Sequence, residues 1–230
     1  KRIFWFLFMD LFLFMYVIFR GLITLSRGGM LTALFALLAF MFFYILASRN
    51  KLKLLIKYSG LFAIFGIALL LYTSNTTGGM LINRYTNKNS VGIEREDFST
   101  GRIDLFMSEI ENFYEHPFFG IGVGGSKFDR LEETDILAAS HNEISRLLGE
   151  HGLIGLIILI LLVFIPSKHI LNQPYLARAF LSAFLIFWFL TISHSAMRIA
   201  FPAFIYGLSV SIITFKNPKE EITKSNDLRS

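Results

Sequence analysis

His141, in the sequence Ser140-His141-Asn142-Glu143, is the residue whose type and setting best suit proton transfer. This sequence matches the helix capping box S/T-x-x-E ahead of an apolar run. Ser140 is then the predicted N-cap and His141 the first helical residue, where the positive end of the helix dipole disfavours imidazolium. A neutral imidazole near pH 7 can accept a proton from a substrate hydroxyl. The spacing by itself favours a surface histidine beside a helix cap.

Arginines near span ends could bind phosphate, because guanidinium is always charged and forms forked hydrogen bonds to phosphate oxygens. Arg102 opens a predicted helix after Thr100-Gly101, and Arg27 lies in Ser26-Arg27-Gly28-Gly29. Further candidates for a cationic substrate-binding site are Arg20, Arg84 and Arg198. Each arginine alone also fits a side chain that reaches to lipid headgroups from the membrane edge.

Other site motifs are weak or missing. Gly120–Gly125 is neither a P-loop nor a dinucleotide fingerprint, because the Gly-Lys-Ser/Thr spacing and a βαβ unit are both lacking. We find no H-E-x-x-H zinc motif, no G-x-S-x-G elbow and no cysteine, so neither a metal site nor another cofactor is predicted. Asp10 lies within an apolar run and is a candidate on that ground alone.

The elements that position these residues are apolar. Of the 230 residues, 54% are hydrophobic and 17% charged, whereas a soluble domain carries about 25% charge. The long apolar runs predict an all-α polytopic membrane protein, since a bilayer-spanning helix needs about 20 apolar residues. The predicted spans are residues 3–24, 29–47, 58–74, 152–167, 178–196 and 198–215. Because the chain starts at Lys1 and an apolar run follows at once, we expect further spans upstream in a longer protein.

Lys and Arg in short loops predict the orientation of the spans. Residues 48–57, 166–178 and the tail 216–230 carry such residues and are predicted to be cytoplasmic. The first three spans, within residues 1–73, and the last three, within 152–215, then place residues 74–151 on the periplasmic side. That segment has 7 Lys/Arg and 13 Asp/Glu, a net charge of −6. An acidic loop between basic membrane parts does not favour nucleic-acid binding.

The periplasmic loop is predicted to be helical in its second half. Residues 74–100 are polar and are predicted to be irregular. Residues 102–116 form an amphipathic helix that ends at Pro117, with an apolar face of Ile103, Phe106, Ile110, Phe113 and Tyr114. Residues 129–139 form a short helix, Gly120–Gly125 a turn, and residues 140–150 a helix that continues into the fourth span.

Together the motifs resemble the O-antigen ligase and O-antigen polymerase superfamily of bacterial membrane glycosyltransferases. The resemblance rests on four segments in this order: Ser26-Arg27-Gly28-Gly29, Gly101-Arg102-Ile103-Asp104, the segment from Glu115 to Gly122, and His141-Asn142. Nine residues separate the last of these from Gly152-Leu153-Ile154-Gly155. It covers roughly residues 20–165. It implies an inner-membrane enzyme without a metal, in which His141, Arg102 and Arg27 are catalytic.

The resemblance also implies the partners. The donor is a glycan on undecaprenyl pyrophosphate, and the acceptor is a hydroxyl of lipid A-core or of another lipid-linked repeat. His141 would be the base, Arg102 and Arg27 would stabilise the diphosphate, and direct attack would invert the anomeric centre. Asn142, Arg198, Arg84 and Arg20 are the predicted substrate-binding residues.

Several alternatives stay open at this stage. The sequence does not separate a ligase from a polymerase, and a protein or cell-wall acceptor is also open. A polysaccharide or lipid transporter is the rival of a different class. Transporters place ionisable groups or broken helices near the bilayer midplane, whereas the polar residues here gather in one loop and at span ends. A purely structural membrane protein is a further alternative. It is disfavoured because the pattern of Arg and His residues would then be a coincidence.

Overall fold

The computed structural model of the chain describes residues 9, 12–13, 16–21, 23–24, 26–89, 92–94, 101–134, 140–194 and 200–215. Residues 16–21 are helical. The named helices are α1 Arg27–Ala47, α2 Lys51–Thr76, α3 Met80–Tyr85, α4 Arg102–Glu115, α5 Gly125–Thr134, α6 Glu143–Leu171, α7 Tyr175–Ile192 and α8 Ala200–Ser209. The described residues contain no β-strand, only an isolated antiparallel bridge between Lys88 and Glu94. The predicted all-α class is confirmed for this part of the chain.

Among the residues that the structure describes, three helices are long and apolar enough to cross a membrane, namely α1, α6 and α7. They fall on the predicted spans 29–47, 152–167 and 178–196. The predicted span 58–74 lies within α2, a 26-residue helix. Half of residues 3–24, Asp10 included, lies outside the described residues. The total of six spans and the side of the membrane on which the loop lies stay predictions.

The connections next to the spans are shorter than predicted. Only residues 48–50 separate α1 from α2, and only residues 172–174 separate α6 from α7. Lys51, Lys168 and Arg178 are therefore helical and do not lie in loops. Lys and Arg favour helix, so each helix continues beyond its apolar run.

The predicted last span, 198–215, is helical only over α8 among the described residues. Ser211–Phe215 are not helical, and a ten-residue helix is only about 15 Å long. The segment after α8 contains Ile212, Ile213 and Thr214, whose β-branched side chains lose rotamer freedom in a helix. This explains why the helix ends early.

The core lies around α7. Leu181, Leu185, Trp188 and Ile192 are buried there and pack with Ile170 of α6 and Ile205 of α8. On another face α7 packs most extensively against α1. The ring of Phe180, near the start of α7, contacts Phe40, near the end of α1, at 5.0 Å between ring centroids. The two helices are therefore antiparallel, and the start of α1 lies beside the end of α7.

The loop segment differs from its prediction in three places. Within residues 74–100, predicted to be irregular, α2 extends to Thr76 and α3 follows. The short helix α5 begins at Gly125 instead of residue 129, and residues 135–139 lie outside the described residues. On α4, which ends before Pro117 as predicted, Ile103 and Tyr114 are 61% and 76% exposed. The most buried residues of α4 are instead the polar Glu109 and Asn112, which hydrogen-bond to other elements.

Candidate functional site

A cavity of about 90 Å³ lies where α4, the start of α6 and the end of α7 meet. It is lined by Arg102, Leu105, Phe106, Glu109, His141, Asn142, Ser193 and His194. The structure therefore brings three predicted site residues together, namely Arg102, His141 and Asn142. It adds three polar residues that sequence reasoning did not select: Glu109, Ser193 and His194.

Arg102 is placed by the start of α4. The preceding Gly101 has φ of 75°, a left-handed conformation that glycine adopts without steric cost. The chain turns sharply there, and Arg102 is the first helical residue. Its side chain is exposed at the cavity. A guanidinium group in this position can reach a ligand without being desolvated by the protein.

His141 precedes the helix instead of opening it. The N-cap of α6 is Asn142, whose Oδ1 accepts hydrogen bonds from the backbone N–H groups of Ile144 and Ser145 at 2.9 and 3.3 Å. The predicted capping box with Ser140 as N-cap is therefore wrong. The Asn142 side chain is the better cap because it reaches two free N–H groups at once. His141 is therefore not the first helical residue, and its position in the helix gives no reason to expect a neutral ring.

The buried carboxylate of Glu109 joins the elements that carry Arg102 and His141. Its Oε1 accepts from Arg130 of α5 at 2.9 Å, and its Oε2 accepts from the hydroxyls of Ser140 and Ser145 at 3.1 and 2.6 Å. Glu109 is 1% exposed and Arg130 3%. Ser140 is the neighbour of His141, so this ion pair fixes the backbone on which His141 sits. The partners are 21 to 36 residues from Glu109 along the chain, and no local pattern indicates them.

A second charged cluster stiffens the first turns of α6. Arg146 donates to Glu143 and, at 2.8 Å, to Glu150. Burial disfavours the charged guanidinium, but the two carboxylates outweigh this effect and raise the pKa of Arg146. Glu143 and Glu150 are themselves buried, and the cluster does not line the cavity. Among the described residues no group of three or more His, Cys, Asp or Glu could hold a metal ion.

Glycines let the loop after α4 dock against a break in α6. Gly152 interrupts the helix with φ of 59° and ψ of −137°. Leu153 N–H donates to the Pro117 carbonyl at 2.7 Å, and Ile121 N–H donates to the Gly149 carbonyl at 3.0 Å. A Cβ on Gly152 would lie 2.4 Å from the Pro117 oxygen, and one on Gly120 would lie 2.3 Å from the Glu150 carbonyl carbon. The Gly120–Gly125 run thus begins at a close contact with the backbone of α6.

Arg27 lies beside the cavity but does not line it. The Oγ of Ser26 caps α1 by accepting from Gly29 N–H at 3.2 Å, and Arg27 is the first residue of the helix. The next residue, Gly28, packs against the ring of His194, which does line the cavity. Arg27 also acts on Tyr85 of α3: burial raises the pKa of that phenol, and the Arg27 charge partly opposes the rise.

The other predicted arginines are not placed at the cavity. Arg20 is exposed and is absent from the lining. Arg198 and the side chain of Arg84 lie outside the described residues. The roles assigned to these three residues stay predictions.

His194 could have been found only from its position in the sequence. It lies with Ser193 in the turn that follows α7, close to the predicted turn arginine Arg198. The Oγ of Ser193 and the Nδ1 of His194 both donate to the carbonyl of Leu190. A histidine at the end of a span has no spacing signal, and His194 reaches the cavity because the end of α7 meets α4 and the start of α6 there.

One of the comparisons with known proteins identifies a family. A family model described as O-antigen ligase matches residues 12–160. The match contains α1, α4, α5 and the first part of α6, and with them Arg27, Arg102 and His141. No curated protein and no solved structure matches the chain. Since the family model covers more than half of the residues, the chain belongs to the O-antigen ligase family, whose members are membrane glycosyltransferases of the ligase and polymerase type.

Proposed function

We propose that the protein moves a glycan from undecaprenyl pyrophosphate to a sugar hydroxyl of lipid A-core, at the periplasmic face of the bacterial inner membrane. The observation that carries the proposal is that Arg102 and His141, from separate elements, line one cavity. Through His194, this cavity adjoins the helix end that carries Arg27. A base and cations for a diphosphate are the groups that such a transfer needs.

The chemistry follows from these groups. An imidazole nitrogen of His141 takes the proton of the acceptor hydroxyl, and the oxygen attacks the anomeric carbon of the donor glycan. The bond from that carbon to the phosphate oxygen breaks, and its electron pair leaves with the undecaprenyl pyrophosphate. A single displacement from the opposite face inverts the anomeric centre. The protonated imidazole then releases its proton to solvent, which the exposure of His141 permits.

The guanidinium groups stabilise the leaving group. Negative charge on the diphosphate rises as the glycosidic bond breaks, and forked hydrogen bonds from arginine become stronger as it does. Arg102 faces the cavity, and Arg27 adjoins it. Two fixed positive charges at this place supply the stabilisation that a divalent metal gives in other glycosyltransferases, so we propose transfer without a metal.

The arrangement of helix ends supports a site at one face of the membrane. The start of α6 and the end of α7 line the cavity, because a short turn joins these two helices at their other ends, and the start of α1 adjoins the cavity through Gly28 and His194. A lipid-linked donor has its diphosphate at the headgroup level and its chain among the lipid tails. The predicted distribution of Lys and Arg in the short loops favours the periplasmic face.

The alternative within the family is a polymerase, which uses the same donor with a second lipid-linked repeat as acceptor. The full-length protein is therefore expressed in strains that lack either the ligase or the polymerase. Glycan attached to lipid A-core supports ligation, whereas long chains that stay on the lipid carrier support polymerisation. Restoration of neither product would refute glycan transfer between these partners.

His141→Ala tests the base directly in the same strains. We expect product to be lost while membrane insertion and protein amount are unchanged. His116→Ala is the matched control, since His116 is also exposed but does not line the cavity. Transfer retained by His141→Ala would remove this residue as the base.

A further inference from the structure

We infer that His194 is a substrate-binding residue whose Nε2 accepts a hydrogen bond from a hydroxyl of the acceptor sugar. The inference rests on the proposed glycan transfer and deepens it, because it assigns part of the cavity to the acceptor. The residue lies at the end of α7, outside the part of the chain that the family model matches.

The hydrogen bond at Nδ1 determines which nitrogen carries the hydrogen when the ring is neutral. Nδ1 is within hydrogen-bond distance of the Leu190 carbonyl oxygen, which also accepts from Ser193 Oγ at 2.8 Å. A carbonyl oxygen only accepts, so Nδ1 carries the hydrogen. In the neutral ring, the hydrogen is then absent from Nε2, and its lone pair is free to accept.

Packing holds the ring at the cavity. A Cβ on Gly28 would lie 2.6 Å from Cδ2 of His194 and 2.9 Å from Nε2, so the ring rests on a helix position that has no side chain. The bond to Leu190 holds the ring from its own helix. Within the part of the chain that the structure describes, Nε2 has no hydrogen-bond partner. A half-buried, oriented acceptor at a cavity wall can take a hydroxyl of a ligand without first giving up a protein partner.

A hydroxyl fits this nitrogen better than a phosphate oxygen does. A lone pair accepts from O–H and repels the lone pairs of a diphosphate, whereas Arg102, on the same cavity, supplies donors for an anion. An acceptor sugar brings several hydroxyls, of which only the reacting one gives its proton to His141. His194 can therefore orient a second hydroxyl.

The test compares two amides at position 194 in the full-length protein, reconstituted in phospholipid vesicles. The probes are undecaprenyl-pyrophosphate-linked glycan as donor and purified lipid A-core as acceptor. A Gln side chain can place its Oε1 near the position of Nε2, whereas the shorter Asn reaches only the position of Nδ1. We expect His194→Asn to raise the KM for the acceptor roughly tenfold, from the loss of one hydrogen bond, with little change in kcat. His194→Gln should stay near wild type.

His169→Asn is the matched control. His169 is also half-buried and also bonds a backbone carbonyl, that of Ser211 at 3.1 Å, but it lies near the other end of α6. Its KM values should be those of wild type.

The remaining outcomes each overturn the inference. Wild-type kinetics in His194→Asn would show that no contact exists. Loss of kcat in both amides would show proton transfer instead of binding, because an amide cannot take up the proton. A raised KM for the donor alone would show that His194 contacts the donor and not the acceptor. Failure of the wild-type protein to transfer glycan would overturn the proposed function as well. If the wild-type protein transfers glycan, the other outcomes overturn only the role of His194.

Discussion

Removing the carboxylate of Glu109 should loosen the whole loop segment around the cavity. Glu109→Ala removes the carboxylate that accepts hydrogen bonds from Arg130, which is 3% exposed, and from the Ser140 and Ser145 hydroxyls. Breaking a buried ion pair on one side costs about 3–5 kcal/mol. Each 1.36 kcal/mol changes an equilibrium constant by a factor of ten. A loss of about 3 kcal/mol therefore makes local opening of this segment roughly 100-fold more frequent.

Hydrogen exchange is the suitable assay, because it reports the opening of individual helices in the intact membrane protein. Amides of α4 and of the first turns of α6 should exchange at least ~100-fold faster in Glu109→Ala. Amides in the core of α7 should change little. Glu111→Ala is the matched control, since Glu111 is exposed on the same helix, and we expect its effect to stay within about 0.5 kcal/mol.

A double substitution tests the cause. Arg130→Met removes the buried charge that has lost the Glu109 carboxylate, so Glu109→Ala combined with Arg130→Met should recover more than half of the lost protection. Exchange in Glu109→Ala within a factor of about two of wild type, well below the cost of a broken buried pair, would refute the reasoning. So would equal effects of Glu109→Ala and Glu111→Ala.

Three further substitutions probe the close contacts and the cation. Gly152→Ala should make the loop at Pro117 sensitive to limited proteolysis, because its Cβ would lie 2.4 Å from the Pro117 oxygen at a left-handed backbone angle. Gly28→Ala should lower glycan transfer without affecting insertion, because it displaces the ring of His194, from which its Cβ would lie 2.6 Å. Gly66→Ala, where nothing lies within 4 Å of the added Cβ, controls for both, and an equal effect there would contradict the packing argument. Arg102→Lys should reduce kcat/KM roughly 10- to 100-fold, because Lys keeps the charge but loses the planar fork. Near-normal turnover would show that charge alone is needed there.

The sequence predicted those parts of the site that local patterns encode. Arg102 follows a Gly and opens an amphipathic helix, and His141-Asn142 precedes an apolar run, so the sequence indicates both as candidates, and the family resemblance assigns them roles. The exact cap was not found, because Ser140, Asn142 and Glu143 all suit a helix start. Only the backbone angles and the bonds of Asn142 distinguish among them.

The sequence by itself determined that the chain is helical, apolar and built around membrane-crossing segments, because apolar runs, helix formers and a proline stop act within a few residues. Tertiary structure alone decided which residues of those helices form the cavity. Glu109 is buried because Arg130, Ser140 and Ser145 come to it from other elements, and His194 reaches the site because the end of α7 meets α4 and the start of α6. Such contacts depend on distant residues that no local period links, and so they become visible only when the helices are packed.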